Sequence, residues 1–232
     1  MKKYKSIFIS DLHLGTKYSQ SENLYLVGDI IDGWAIKEKF RWKQSHSDVI
    51  QKILRSARKG TNVYYIAGNH DKFLRDFFPL LLGDNLTIVN NIEYKSINGK
   101  RYFVTHGDMF DSMTITKKWL TVFGDMGYTF LLTLNPFINF IRRKIGIKCY
   151  WSLSGQLKDN LRNSLNLIKD YEQFSTQYAK QQGYDGVICG HIHKADIKNI
   201  NGIEYMNTGD WIESSSALLE TFEGEWRILK ML

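Results

Sequence analysis

Five short runs of apolar, β-branched or aromatic residues, each halted by a cluster of Gly, Asp, Asn or His, limit what this chain can fold into more than any other feature. They are Ser6 to Ser10, Leu24 to Val27, Val63 to Ala67, Tyr102 to Thr105 and Gly186 to Cys189. The runs are continuous more than alternating in polarity, the pattern of strands buried on both faces. Between the second and third, Ser47 to Gly60 reads as a helix. Ser47 stands at its N-cap and Asp48 in its first turn; Val49, Ile50, Ile53, Leu54 and Ala57 share one face, and Gly60 ends it. Strand, helix, strand implies a layered α/β fold. With 232 residues, 43% of them apolar, the chain can bury one substantial core as a single domain or a domain with an insertion.

Two intervals depart from that grammar. Only Thr16 to Asn23 separates the first cluster from the second run, whereas a parallel crossover usually needs a dozen residues or more. Either these strands are not joined by an ordinary crossover, or a stretch is missing between Tyr18 and Asn23. From Met109 to Gly183 the pattern turns helical. Leu157, Leu161, Leu165 and Ile168, continued by Tyr171, Phe174 and Tyr178, mark one long amphipathic helix. The expected division is a core of residues 1–108 and 184–232 with a helical cap, 109–183, inserted in it. Within the cap the longest uncharged run, Met126 to Ile141, contains Asn135 and Pro136 and is too short to span a bilayer. It ends in Arg142, Arg143 and Lys144, so the segment reads either as an apolar hairpin with a basic edge, suited to an anionic membrane, or as a hairpin packed on its own domain.

The chemistry lies at the ends of the runs. Five of the six histidines fall in the clusters Asp11-Leu12-His13, Gly68-Asn69-His70-Asp71, Thr105-His106-Gly107-Asp108 and Gly190-His191-Ile192-His193, and Gly28-Asp29 adds a carboxylate. Singly each is weak, since a lone histidine is more often a surface or satisfied core residue than a ligand. Together they would converge on one sheet edge, where open α/β folds place their sites. Carboxylate, imidazole and amide oxygen form a donor set of intermediate hardness, suited to Mn, Fe or Zn more than to Mg or Ca. The sixth histidine, His46, precedes the helix and reads as structural or close to substrate.

In that order, DLH, GD, GNHD, HGD and GHIH resemble the calcineurin-like metallophosphoesterases, over the whole chain outside the insertion. The resemblance implies two packed mixed β-sheets flanked by helices, a four-layer sandwich. It also implies two divalent ions, manganese first with iron or zinc as alternatives: Asp11, His13 and His193 would hold one, Asn69, His106 and His191 the other, and Asp29 would bridge them. Such a pair polarises a phosphoryl group and lowers the pKa of a bridging water to supply hydroxide. His70, with no ion assigned, would stabilise the transition state or protonate the leaving oxygen. Asp71 reads either as the orienter of an imidazole or as a turn or helix cap before Lys72.

Within the family, SDLHLG, YLVGDIIDGW and GNHDKFLRD, with the large insertion before GHIH, are similar to the bacterial UDP-2,3-diacylglucosamine pyrophosphohydrolases of lipid A synthesis. That likeness implies a nucleotide-linked lipid as the phosphate-containing substrate, and an enzyme of the cytoplasm or the inner-membrane periphery. One departure bears on substrate: the best-defined members carry arginine where this chain has His70. Lys158 and Arg162, at (i, i+4) spacing, are candidates for substrate phosphate, although surface cations at that spacing are ordinary.

The net charge of +7 favours anionic partners and leaves open a nuclease or phosphodiesterase built on the same centre. The basic cluster lies among Phe137, Ile138, Phe140 and Ile141, which favours an amphiphilic partner over nucleic acid. A non-catalytic interaction module usually shows gaps among its ligands, and none is missing here. The amino-terminal MKKYKSIFIS starts basic, but its apolar stretch runs at once into Asp11 and His13, so it reads as a strand and not an export signal. Cys149 and Cys189 show no metal or disulfide spacing, in keeping with a reducing compartment.

Overall fold

A computed structural model describes residues 4–11, 21–39, 42–113, 167–212 and 214–230. Each of the five apolar runs is a strand. The first three form β1 (Tyr4–Ile9), β2 (Ser21–Val27) and β3 (Asn62–Ile66), the fourth is β7 (Arg101–Thr105), and the fifth is β8 (Gly186–Cys189). The other strands are β4 (Leu80–Leu81), β5 (Leu86–Val89), β6 (Asn91–Lys95), β9 (Asp196–Ile200), β10 (Ile203–Asn207), β11 (Ser216–Glu220) and β12 (Trp226–Lys230). They make two mixed sheets, one ordered β12-β11-β1-β2-β3-β5-β4 and the other β6-β7-β8-β10-β9. The five runs are therefore divided between sheets, three in one and two in the other.

The period-2 alternation of a strand explains why these runs are apolar throughout. Alternate residues Ile7, Ile9, Leu24, Leu26, Val63 and Tyr65 form one buried layer with Val49, Ile53 and Ala57 of the helix α2 (Gln44–Arg58). The residues between them, Phe8, Tyr25, Val27 and Ile66, turn to the other side and pack with Tyr94, Tyr102, Val104, Ile188 and Met206 of the second sheet. Register decides the detail. Phe8 pairs with Tyr25 and Tyr25 with Tyr64, so the three rings stack across adjacent strands at 4.5 and 4.7 Å between centroids. Fully burying one such side chain contributes roughly 1.5–3 kcal/mol.

The helix between β2 and β3 forms, but not with the expected start. It begins at Gln44, so His46, Ser47 and Asp48 are helical; Lys43 is the N-cap residue, without a side-chain cap bond. Ser47 instead accepts a hydrogen bond from Trp42 Nε1 at 2.8 Å. Leu54, expected on the buried face, is exposed. A shorter helix, α1 (Gly33–Lys39), precedes it. β1 and β2 are parallel neighbours. Residues 12–20 lie outside the described ones, and with them most of the interval in which a missing stretch was expected.

The chain divides into two compact units, residues 1–109 with 175–231, and residues 110–174 with 232. Both sheets belong to the first. Of the second, the described part is most of a 3-10 segment (Asp108–Met113) and the first half of α3 (Leu167–Gln181), in which Phe110 and Tyr171 meet edge to face at 5.8 Å. The long amphipathic helix is present in its described portion, with a broader buried face than expected: Ile168 and Tyr171 are buried and Phe174 and Tyr178 half-buried, and Glu172, Ser175, Thr176 and Ala179 are buried as well. The basic cluster Arg142, Arg143 and Lys144 lies outside the described residues. Among the described residues no helix is long and apolar enough to cross a membrane.

Candidate metal centre

Each cluster follows a strand end, and the backbone there leaves the strand by an unusual route. Asp11, Asp29, His191 and His193 all have positive φ, 49°, 54°, 67° and 57°. These are four of the six non-glycine residues in that state among the described ones. Such conformations cost of order 1–3 kcal/mol each and persist only where the surroundings over-determine them. Here the strand-end loops are bonded to one another: Asp11 N donates to Gly28 O at 3.0 Å, Gly190 N to His106 O at 3.0 Å and Trp211 N to Asp11 O at 3.2 Å. At these left-handed turns Asp11 and Asp29 are buried and His191 and His193 half-buried.

Two clusters of candidate ligands result. In the first, His106 Nε2 lies 3.2 Å from Asp29 Oδ2 and 3.1 Å from Asn69 Oδ1, and its ring meets that of His191 at 5.0 Å between centroids. Ligand atoms of Asp29, His106 and His191 all lie within 4.8 Å of one another. In the second, His193 Nε2 lies 2.9 Å from Asp11 Oδ1. Of the seven expected ligands, six are described and belong to these clusters; His13 lies outside the described residues, as do Lys158 and Arg162.

The protonation of these groups records how closely they are packed. Burial acts to raise the Asp11 carboxyl, but the charge and hydrogen bond of His193 hold it far below the usual range. Asp29 is likewise lowered, burial being outweighed by His106. Burial pushes His106 down, yet the Asp29 carboxylate beside it wins and raises the imidazole to about 10.

The donor set fits a divalent cation on two further observations. His106 Nδ1 stands 3.0 Å from the carbonyl of Val27, which can only accept, so Nδ1 carries the hydrogen. A neutral His106 then presents a lone pair at Nε2 to two more acceptors, Asp29 Oδ2 and Asn69 Oδ1. Acceptors facing acceptors need a proton or a cation between them. In addition, Asp11 is wholly buried with the His193 ring against its Oδ1, and a buried carboxylate is costly unless a cation neutralises it.

His70 stands at the mouth of the centre. Its Nε2 is 3.9 Å from Asp29 Oδ2, its backbone N–H donates to Asp29 Oδ1 at 2.9 Å, and its ring lies 4.2 Å from that of Trp34. Its Nδ1 is 3.1 Å from Asp32 Oδ1. Burial lowers its affinity for a proton, but the Asp32 hydrogen bond with the Asp29 and Asp32 charges outweighs this and raises it. Asp71, expected to orient an imidazole or to be a turn or helix cap before Lys72, is by position the N-cap residue of a 3-10 segment (Lys72–Phe77). Its buried carboxylate accepts from Ile30 N at 3.0 Å, Ile31 N at 3.5 Å, Tyr65 OH at 2.6 Å and Gly68 N, and it caps no helix with its side chain. It ties the turn bearing Asp29 to the loop bearing Asn69 and His70, and Asp32 does the orienting.

Sequence reasoning missed Asp32, Asp210, and the Arg75–Asp108 pair. Arg75 reaches both Asp108 oxygens, at 3.0 and 2.9 Å, and the carbonyl of Ala67 at 3.0 Å, joining the loops after β3 and β7. Asp32 lies three residues beyond Asp29, and Asp210 follows Gly209 just past the end of β10, the same Gly-Asp signature as Gly28-Asp29. For Asp210, a Gly-Asp directly behind a strand was the available signal.

Two sheets with their strand ends converging on a carboxylate, amide and imidazole cluster define a metallophosphoesterase, and the calcineurin-like phosphoesterase family model matches residues 4–195. The chain belongs to that family, whose members use divalent metals, and it is a phosphoester hydrolase. It is similar to UDP-2,3-diacylglucosamine hydrolase of Histophilus somni (strain 2336), 26% identical with 92% of this chain and 95% of that one covered. It is 25% identical to UDP-2,3-diacylglucosamine hydrolase of Haemophilus influenzae (strain PittGG), with 97% and 98% covered. Among solved structures it is similar to vacuolar protein sorting 29 from Cryptosporidium parvum, at 11% identity and a TM-score of 0.46, with 99% of this chain and 98% of that one covered.

Proposed function

We propose that this chain hydrolyses a phosphoanhydride in a nucleotide-linked acylated sugar with the help of two divalent ions, manganese being the first candidate. The observation that carries the metal reading is the approach of Asp29, His106 and His191 ligand atoms to within 4.8 Å of one another, with His70 at their edge. In this reading Asp11, His13 and His193 hold one ion, Asn69, His106 and His191 the other, and Asp29 both. When bound, such a pair supplies Lewis-acid charge to the phosphoryl oxygens and an attacking hydroxide at neutral pH.

The remaining steps fall to the protein. His70, turned by Asp32 so that Nε2 faces the centre, donates a proton to the departing phosphate oxygen. Asp71 keeps the Asp29 turn and the His70 loop in one geometry throughout. Lys158 and Arg162, on the inserted segment 109–183, are the proposed contacts to substrate phosphate. The substrate class is supported by the relatives named UDP-2,3-diacylglucosamine hydrolase, and contact with an anionic inner-membrane face by the basic, apolar sequence from Phe137 to Lys144.

The test is hydrolysis of UDP-2,3-diacylglucosamine by metal-depleted and manganese-reloaded protein, with nucleoside monophosphate release as the readout. The expected result is no turnover after depletion, recovery on reloading and about two ions per chain. Full activity without metal eliminates the centre. Reloaded protein that cleaves simple phosphodiesters but not the nucleotide lipid eliminates the substrate and leaves the centre intact.

A further inference from the structure

Of the described candidate ligands, His193 has a carboxylate at each ring nitrogen. Nε2 lies 2.9 Å from Asp11 Oδ1, and Nδ1 lies 3.3 Å from Asp210 Oδ2. Asp210 is itself wholly buried. Its other oxygen, Oδ1, accepts two hydrogen bonds from one residue, Ser214 N at 2.7 Å and Ser214 Oγ at 2.6 Å. The same loop is fastened beside Asp11. Ser10 Oγ is 2.6 Å from Thr208 Oγ1 and donates to Gly209 O at 2.9 Å, while Ser216 Oγ donates to Thr208 O at 2.8 Å. One loop after β10 thus braces both Asp11 and His193.

A neutral imidazole has one donor nitrogen and one acceptor nitrogen, and an ionised carboxylate only accepts. Asp11 Oδ1 and Asp210 Oδ2 can each only accept, so with a cation between Asp11 and Nε2 the hydrogen belongs on Nδ1, facing Asp210, and the lone pair on Nε2. We propose that Asp210 is a positioning residue which, held by Ser214, commits His193 to carry its hydrogen on Nδ1 and to offer Nε2 to the cation that Asp11 faces. Ligating histidines whose second nitrogen is fixed in this way owe about 10–100-fold in metal affinity to the fixing group. The inference rests on the two-ion reading above and adds to it a residue that the expected ligand set lacks.

The geometry makes a sharper demand than loss of a hydrogen bond. In Asp210→Asn, Ser214 N still requires an acceptor, so the amide oxygen turns to Ser214 and the NH2 turns to His193. Nδ1 must then accept, which moves the hydrogen to Nε2, where it opposes the cation. Asp210→Ala leaves the ring undirected and is the milder change.

The experiment titrates metal-free protein with Mn2+ alone and follows free ion by electron paramagnetic resonance. The unmutated chain should take up two ions, Asp210→Ala should bind one of them about 10–100-fold more weakly, and Asp210→Asn should fall further or lose it. Asp210→Asn with unchanged binding, or the two variants equally weakened, overturns the inference. Should neither variant fold, 15N spectra of histidine in the zinc-loaded unmutated protein decide: His193 with hydrogen on Nδ1 and metal on Nε2 supports it, and the reverse overturns it. No ion bound by the unmutated chain overturns the two-ion reading itself, so the failures are distinct.

Discussion

Replacing Gly28 with alanine should remove one ion while leaving a folded protein. Gly28 follows β2 with φ +84°, and a Cβ there would stand 2.2 Å from His106 Nδ1, 2.3 Å from Cγ and 2.6 Å from Cβ. Ordinary contact begins at 3.4 Å, so the imidazole must retreat by about 1 Å. It has nowhere easy to go: His106 is fully buried, and its carbonyl is bonded to Gly190 N. Metal–ligand distances tolerate only about 0.2 Å. The stability cost combines about 1–2 kcal/mol for a left-handed alanine with about 1–3 kcal/mol for overpacking. A domain of this size, with about 5–15 kcal/mol in hand, survives that.

Gly60→Ala supplies the comparison. Gly60 also has positive φ, +86°, but nothing lies within 4 Å of its added Cβ, so it should show only the backbone cost. Urea denaturation, metal analysis and hydrolysis of a chromogenic phosphodiester should give a folded Gly28→Ala protein with about one ion and at least ~100-fold lower kcat, since one of two ligand groups is displaced. Gly60→Ala should keep both ions and full turnover. A Gly28→Ala protein with both ions and parental kcat, or equal losses in the two variants, would refute the reasoning.

Asp71→Asn should destabilise the fold by about 2–4 kcal/mol, measured by urea denaturation, because Gly68 N and three other donors converge on that carboxylate and an NH2 must face at least one of them; a loss below about 0.5 kcal/mol would refute this. Metal-free protein should lose stability as pH rises. His106 is raised from its unfolded value near 6.5 to about 10 in the fold, so its contribution is complete below about pH 6.5 and gone once pH passes about 10. Denaturation midpoints across that range check it, and His106→Asn should flatten the slope; a midpoint that climbs with pH contradicts the assignment.

Much of this protein is legible in its order of residues. The five strands are recognisable because a strand buried on both faces must be apolar at every position, and its end is marked where polarity returns. The candidate ligands stand out because imidazole and carboxylate recur at those ends. The departures have local causes. Helix α2 starts three residues before the expected cap because Lys43 closes it without a side-chain bond, and Ser47 is engaged by Trp42. The buried face of α3 includes Glu172, Ser175 and Thr176, which no hydrophobic periodicity would select.

Residue types and their spacing along the chain determined which elements form and which atoms are available to a cation. Who faces whom was decided by the tertiary structure alone. Asp32 against His70, Asp210 against His193 and Asp71 beneath Asp29 all depend on side-chain direction at turns bonded across the strand ends. Pattern along a sequence reports burial, because burial repeats with the period of the element. A hydrogen bond between carboxylate and imidazole has no period, and a pair such as Asp11 and Asp210, 199 positions apart in numbering, flanks one ring only after the sheets have closed.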